Sequence, residues 1–294
     1  MNELDFPLFD GHLHFCQAYL EEAMLSHEEC GVRGGINLWG AAFAQYNSGY
    51  TLDYAEFLAI CRERGLDGRY VNFYWPDYRG FGQDPDGFVA KLCDDLRRYA
   101  ALGCRGLKVW KDLGMFIRFA DGTVATMDDG RLEPVWQTCR QLGFTISIHQ
   151  ADPTGYFEKH CTTGLGRQDL FAIRDRVIEA YPDINFILCH SCNYIESVAK
   201  FASVLEKFSN VKADMFPLDR HDSAGDCRAF MEKYADRLYI GTDLGLPQNR
   251  PADRKWNLEE GYLPWRRRIL SWGLSKEAFD KITWTNGRRD FFGA

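Results

Sequence analysis

No stretch of about 18 apolar residues occurs in this chain, which excludes a membrane-spanning helix. No basic run stands out either. Acidic residues number 42 against 35 basic ones, and the formal net charge of −7 argues against a nucleic-acid partner. Linkers, low-complexity tracts and internal repeats are missing, so nothing in the sequence divides residues 1–294, and a single domain is expected. Cysteine is present but unpatterned. Ten cysteines are scattered through apolar runs, and the one close pair, Cys189-His190-Ser191-Cys192, lacks the second pair that a structural zinc site requires. They read as reduced, buried small hydrophobes. The opening Met1-Asn2-Glu3-Leu4-Asp5 has neither a basic segment nor an apolar core of the signal-peptide kind, so a cytoplasmic location is expected. The expected partner is a small-molecule substrate, with a homo-oligomer left open.

What is present is ample material for a core, with 46% apolar and 15% aromatic residues. Eight strand-like runs stand at 7–14, 32–39, 69–75, 105–110, 144–149, 184–190, 211–216 and 238–243. Helix-like segments follow at 17–30, 51–64, 85–102, 129–142, 168–181, 193–208, 224–235 and 254–273. The third is the clearest: Phe88, Leu92, Leu96 and Tyr99 recur at helical spacing between Pro85-Asp86 and Gly103. Strands alternating with helices imply parallel βα units, and eight of them imply closure into a (β/α)8 TIM barrel. An open doubly wound sheet is the runner-up. Two insertions interrupt the rhythm. Residues 111–128 carry an Asp121-Gly122 turn between alternating residues, which predicts a small hairpin, and 150–167 form a polar stretch with Pro153, Gly155, Gly164 and Gly166. Both follow strands four and five, so both belong to the mouth of the barrel.

The chain has only seven histidines, and four of them stand at the ends of strand-like runs. His12-Leu13-His14 closes strand one, His149 strand five and His190 strand six, while Asp243 closes strand eight. In a strand, residues two apart project to the same side, so His12 and His14 can reach one ion while Leu13 packs outward. Asp10 shares that side and can brace the site by hydrogen bonding. Imidazoles and a carboxylate gathered at one mouth suit a divalent transition metal. Asp243 can ligate the metal and take a proton from an attacking water. His27, His160 and His221 fall in helix or loop text and read as surface or locally bonded residues.

Lys108 ends strand four between apolar neighbours, an expensive position without a partner. Three readings stand beside each other: a substrate carboxylate as its partner, carboxylation of its amine to bridge two metals, or pairing with a nearby acid. The first fits with Arg118 and Arg250 in mouth loops as further candidates for an acidic substrate. Trp110 and the run Phe73-Tyr74-Trp75 are candidates for the pocket wall or for core packing.

Asp10-x-His12-x-His14, a lysine after Gly106-Leu107, then His149, His190 and Asp243 in that order together resemble the amidohydrolase superfamily. The closest resemblance is to its branch of compact barrels holding decarboxylases, hydratases and lactone or amide hydrolases of small carboxylated compounds. The ending Thr285-Asn286-Gly287-Arg288-Arg289-Asp290-Phe291-Phe292 is similar to that branch's C-terminal helix. The resemblance implies that His12, His14 and His149 ligate a zinc-like ion, one ion being favoured and two allowed. It implies that Asp243 ligates the ion or contacts its water, and that His190 orients or deprotonates that water or binds a second ion. Glycine-rich strand two, Val32-Arg33-Gly34-Gly35-Ile36, offers no catalytic side chain. Aspartate at position 10, where decarboxylating members often carry glutamate, tilts the expectation toward metal-assisted hydrolysis of a small amide, lactone or similar acyl compound. Decarboxylation or hydration is the alternative, and a non-catalytic ligand-binding barrel, or one with a structural metal, is the reading from another class.

Overall fold

Runs rich in β-branched and aromatic residues form the strands, and amphipathic segments between them form the helices that cover the sheet. The computed structural model describes residues 5–42, 53–215, 224–245 and 262–293. The strands are β1 (Leu8–His14), β2 (Val32–Trp39), β3 (Tyr70–Tyr74), β4 (Gly106–Val109), β5 (Thr145–Ile148), β6 (Phe186–Leu188), β7 (Val211–Met215) and β8 (Leu238–Ile240). Each pairs in parallel with the next, and β8 pairs with β1 through Asp10 opposite Ile240, which closes the sheet into a TIM barrel. A two-residue strand, β9 (Leu244–Gly245), adds to the free upper edge of β1 opposite Leu13 and His14. It had no counterpart among the expected elements, because two residues carry no periodicity.

The helices explain themselves locally. In the Pro85–Ala101 helix, the Asp84 carboxylate caps the Gly87 amide, proline occupies the first turn, and Leu92, Leu96 and Tyr99 are buried. The polar stretch after β5 contains a helix, Thr154–His160, that was not expected. The insertion after β4 turns at Gly122 and forms the expected small hairpin in minimal form: Arg118 bridges Val124 in antiparallel fashion, the Phe119 amide donates to the Thr123 carbonyl and the Ala125 amide to the Ile117 carbonyl. The C-terminal text forms the Lys276–Asp280 and Asn286–Phe292 helices, joined by a π-helical stretch over Lys281–Thr285. Phe216 of expected strand seven and residues 254–261 of the last expected helix lie outside the described residues. Among the described residues no helix is long and apolar enough to cross a membrane.

Two apolar layers result. The larger packs the outer faces of the strands against the helices. The smaller joins Phe9, Ile36, Leu38, Val71, Phe73, Ile187 and Tyr239 inside the barrel, with Trp284, Phe291 and Phe292 of the C-terminal segment packed against it. The glycine pair of β2 has a packing cause: a Cβ on Gly35 would stand 2.5 Å from the Asp10 carbonyl oxygen and 2.6 Å from Leu13 Cδ1. Glycine there lets β1 approach β2 closely, and β1 carries the first two histidines. The ends of the strands opposite the C-terminal plug therefore hold the polar side chains.

Candidate metal centre

His12 and His14 emerge on one side of β1, with ring centroids 5.0 Å apart. Asp243 comes to them from the end of β8: its amide donates to the His12 carbonyl at 3.0 Å, and its backbone is left-handed at φ +52°. Its Oδ1 lies 3.2 Å from His12 Nε2 and 3.0 Å from His14 Nε2. The ligand atoms of these three residues form one group within 4.8 Å of one another, suited to a metal ion.

The protons on the two rings decide what fits between them. His14 Nδ1 stands 2.8 Å from the Leu38 carbonyl oxygen, which only accepts, so Nδ1 carries the hydrogen. Burial pushes the His14 pKa down against the pull of Asp243, which keeps the ring neutral. Its Nε2 is then a lone pair facing a carboxylate oxygen. Burial pushes Asp243 upward, but His12, His14 and His190 together hold it well below the usual carboxylate range. A bare lone pair and a carboxylate oxygen at 3.0 Å would repel, so a proton or a metal ion belongs between them. His12 Nδ1 is 2.7 Å from Asp214 Oδ2, the carboxylate–histidine arrangement that orients a metal ligand. Burial lowers the His12 pKa, but Asp214, Cys189 and Asp243 together pull it up to about 10. The donor set of two imidazole nitrogens and a carboxylate fits a divalent ion of the zinc type.

Asp214, on β7, was not among the expected site residues. It anchors His12 through Oδ2 and accepts from the His190 amide through Oδ1 at 2.6 Å. The backbone at His190, Ser191, Cys192 and Asn193 is left-handed throughout, with φ between 54° and 60°. Left-handed residues other than glycine are costly, and a run of them directly after β6 aims the His190 amide at Asp214. Asp10 sits below the pair. It accepts from the His12 and Thr242 amides, each at 3.1 Å, and from the Thr242 and Tyr262 hydroxyls. Burial pushes Asp10 up to about 6 against those four bonds.

The other expected residues fall as follows. The His190 ring stacks on His12 at 4.8 Å, and its Nε2 lies 3.9 Å from Asp243 Oδ2. His149 meets the His190 ring at 4.5 Å, but its Nε2 is 3.1 Å from Asp152 Oδ1, so it stands beside the three-atom group and outside it. Asp152 is also paired with Lys111 at 2.7 Å. Burial, with the Lys111 and Lys108 charges, drives the His149 pKa well down. Lys108 Nζ bonds Cys189 Sγ at 2.8 Å, and among the described residues no acid pairs with it. Trp110 packs edge-on against Trp75 at 5.1 Å, and Trp75 reaches the His14 ring at 5.7 Å. Of the Phe73-Tyr74-Trp75 run, Phe73 is inside the barrel and Tyr74 packs outward on Tyr54 and Tyr99. Arg118 donates to the Gly122 and Thr163 carbonyls and so ties the two mouth insertions together. Arg250 and His221 lie outside the described residues. His160 is exposed and bonds the Tyr156 carbonyl locally. His27 departs from the expected surface role: it is buried between the Tyr70 and Tyr262 hydroxyls.

This barrel with a His-x-His strand and a strand-eight aspartate is the architecture of a metal-dependent enzyme superfamily. The sequence profile of the amidohydrolase family matches residues 10–292, and the chain belongs to that family. Similar solved structures include an uncharacterised TIM-barrel protein from Bordetella bronchiseptica, 16% identical over 97% of this chain and 98% of that one, with a TM-score of 0.64. A 2,6-dihydroxybenzoate decarboxylase from Rhizobium is 16% identical over 97% and 98% of the two chains, with a TM-score of 0.58. A dihydroorotase from Campylobacter jejuni is 11% identical over 96% and 82%, with a TM-score of 0.56. No curated protein matches the chain. The family holds both hydrolases and decarboxylases, so membership leaves the reaction undivided between them.

Proposed function

We propose that this protein is a metal-dependent hydrolase of a small acyl compound, an amide or lactone that bears a carboxylate, with zinc as the metal. The observation that carries the metal is the convergence of His12 Nε2 and His14 Nε2 on Asp243 Oδ1, at 3.2 and 3.0 Å, with His14 Nδ1 already committed to the Leu38 carbonyl. His12, His14 and Asp243 would hold the ion, and a divalent ion there would supply Lewis acidity and lower the pKa of water from 15.7 toward about 7.

The remaining chemistry belongs to the protein's own side chains. The two oxygens of Asp243 do different work, since Oδ1 faces the two imidazoles while Oδ2 points toward His190 Nε2 at 3.9 Å. Its side chain is 38% exposed, so it can accept a proton from water at the mouth and return it to a leaving group. Burial, His149 and His12 hold the His190 pKa well down, against the opposing pull of Asp243, so His190 is a neutral imidazole able to orient that water. Asp214 fixes the His12 tautomer and Asp10 fixes the strand beneath it.

Decarboxylation is the second reading, and one feature favours it. Trp75, buried beside His14, packs against the half-buried Trp110, and an aromatic neighbourhood of this kind suits a planar aromatic acid.

The test is elemental analysis of the purified protein with assays of released acid and released carbon dioxide on a panel of lactones, amides and aromatic acids. About one zinc per chain and acid release without carbon dioxide support the proposal. His12→Ala and Asp243→Ala should abolish turnover with the fold kept, and full activity in both variants rejects the assignment.

A further inference from the structure

Lys108 and Cys189 meet inside the barrel, one layer below the metal group. Lys108 is in β4 and Cys189 follows β6; β5 runs between them and contributes Ser147, whose Oγ is 3.2 Å from Cys189 Sγ. Both residues are fully enclosed, at 1% and 0% exposure. Lys108 Nζ to Cys189 Sγ is 2.8 Å, and among the described residues this is the only hydrogen bond of the amine. That is an ordinary length for N–H to oxygen, yet sulfur is the larger atom, so the two side chains are pressed together. A thiol is a weak acceptor for a buried lysine. Neither the hydrolytic nor the decarboxylating scheme uses Cys189.

We propose that Lys108 and Cys189 form a reversible oxidative cross-link in which one oxygen atom joins Nζ to Sγ, with peroxide as the oxidant. The observed separation is what a single oxygen spans through two bent single bonds, so neither strand has to move. One peroxide oxidises the thiol to a sulfenic acid and leaves as water. The lysine ammonium gives one proton to solvent water, and a second peroxide oxidises the freed amine to a hydroxylamine and also leaves as water. The hydroxylamine oxygen then attacks the sulfenic sulfur, expelling a third water and leaving Nζ(H)–O–Sγ. Two peroxides are reduced, and sulfur and nitrogen each give up one electron pair. A dithiol reductant attacks the sulfur, breaks the S–O bond and regenerates the thiol; further reduction of the N–O bond restores the amine.

The position gives the link a consequence. Ligand atoms of His12, Cys189 and Asp214 lie within 4.8 Å of one another, so the link forms against the residues that orient the first metal ligand. It also replaces a positive charge that faces His12 by a weakly basic nitrogen. The proposal stands whichever reaction the centre performs.

The experiment treats the zinc-loaded full chain with hydrogen peroxide, digests it and maps the peptides by mass spectrometry. The expected product is a linked peptide pair containing Lys108 and Cys189, heavier than the two peptides by one oxygen less two hydrogens and released by dithiothreitol. Cys161, the one cysteine that is only half-buried, is the internal comparator for simple oxidation. Lys108→Arg keeps the charge but cannot link, and its Cys189 should run on to the sulfinic acid at the same dose. The wild-type map decides the matter without the variant. Sulfinic Cys189 with an unchanged Lys108 peptide, a pair joined without oxygen, or both residues intact while Cys161 is oxidised would each overturn the proposal.

Discussion

Asp214 Oδ2 accepts from His12 Nδ1 at 2.7 Å, while the other oxygen of the same carboxylate accepts from the His190 amide at 2.6 Å. One side chain on β7 thus sets the ring of a metal ligand on β1 and the backbone of a neighbouring histidine after β6. Its own charge is maintained against burial by His12 and His190, which hold it below the usual carboxylate range.

Asp214→Asn tests that coupling. The amide keeps the volume but removes the charge and turns one oxygen into a donor that faces His12 or His190. Metal affinity should fall roughly 10- to 100-fold, the ordinary effect of losing such an orienting partner. Competition against a chromophoric chelator measures it, and an affinity equal to wild type would remove Asp214 from the centre.

The left-handed run after β6 makes a second prediction. Ser191, at φ +56°, is a non-glycine residue in a conformation that costs roughly 1–2 kcal/mol. Ser191→Gly should remove part of that cost and leave stability equal or up to about 1 kcal/mol higher, the gain being offset by the greater freedom of glycine in the unfolded chain. Urea unfolding gives the answer. A loss of more than about 2 kcal/mol, beyond what the backbone change alone produces, would show that the turn depends on the Ser191 side chain and not on its backbone angle.

How far the sequence revealed this arrangement follows from where each signal lies. His12 and His14 were legible because a period of two puts both on one side of a strand, and Asp243 because parallel strand ends meet at one mouth. Asp214 satisfied the same criterion that singled out Lys108, a charged residue near the end of an apolar run, and could have been found by it. His27 could not. Its neighbours in Leu25-Ser26-His27-Glu28-Glu29 read as a solvated helix face, and its burial comes from Tyr262, 235 residues away. The Lys111–Asp152 pair and the contacts of Arg118 arise between two insertions, whose relative placement no local pattern encodes.

His27 also predicts a pH effect on stability. Burial lowers its folded-state pKa from 6.5 to about 3, with Arg69 adding to the shift. A depressed base binds its proton more readily when unfolded, so stability falls as pH drops below about 6.5, by up to about 1.4 kcal/mol per pH unit. His27→Gln retains a donor and an acceptor for Tyr70 and Tyr262 and carries no titrating group. It should be less stable than wild type at about pH 7.5 and lose that deficit, or reverse it, by about pH 4.5. Urea unfolding of both proteins at the two pH values cancels the titration of shared carboxylates. An unchanged difference would mean that His27 is not buried neutral.

Metal affinity should depend on pH through His12. With its pKa raised to about 10 by Asp214, Cys189 and Asp243 against the cost of burial, the ring carries both protons at neutral pH before the ion binds. The Nδ1 proton stays on the ring, donated to Asp214, so the ion has to displace the proton at Nε2, the atom 3.2 Å from Asp243. Binding therefore releases about one proton, and affinity should climb about tenfold per pH unit between about 6.5 and 8.5. His14 adds nothing to this slope, because burial already keeps it neutral. Calorimetric titration of zinc in two buffers of different ionisation enthalpy counts the protons directly. A count near zero with a flat affinity would mean that His12 already offers a free nitrogen, and the proton would then have to be removed from the account of how the metal-free centre holds together.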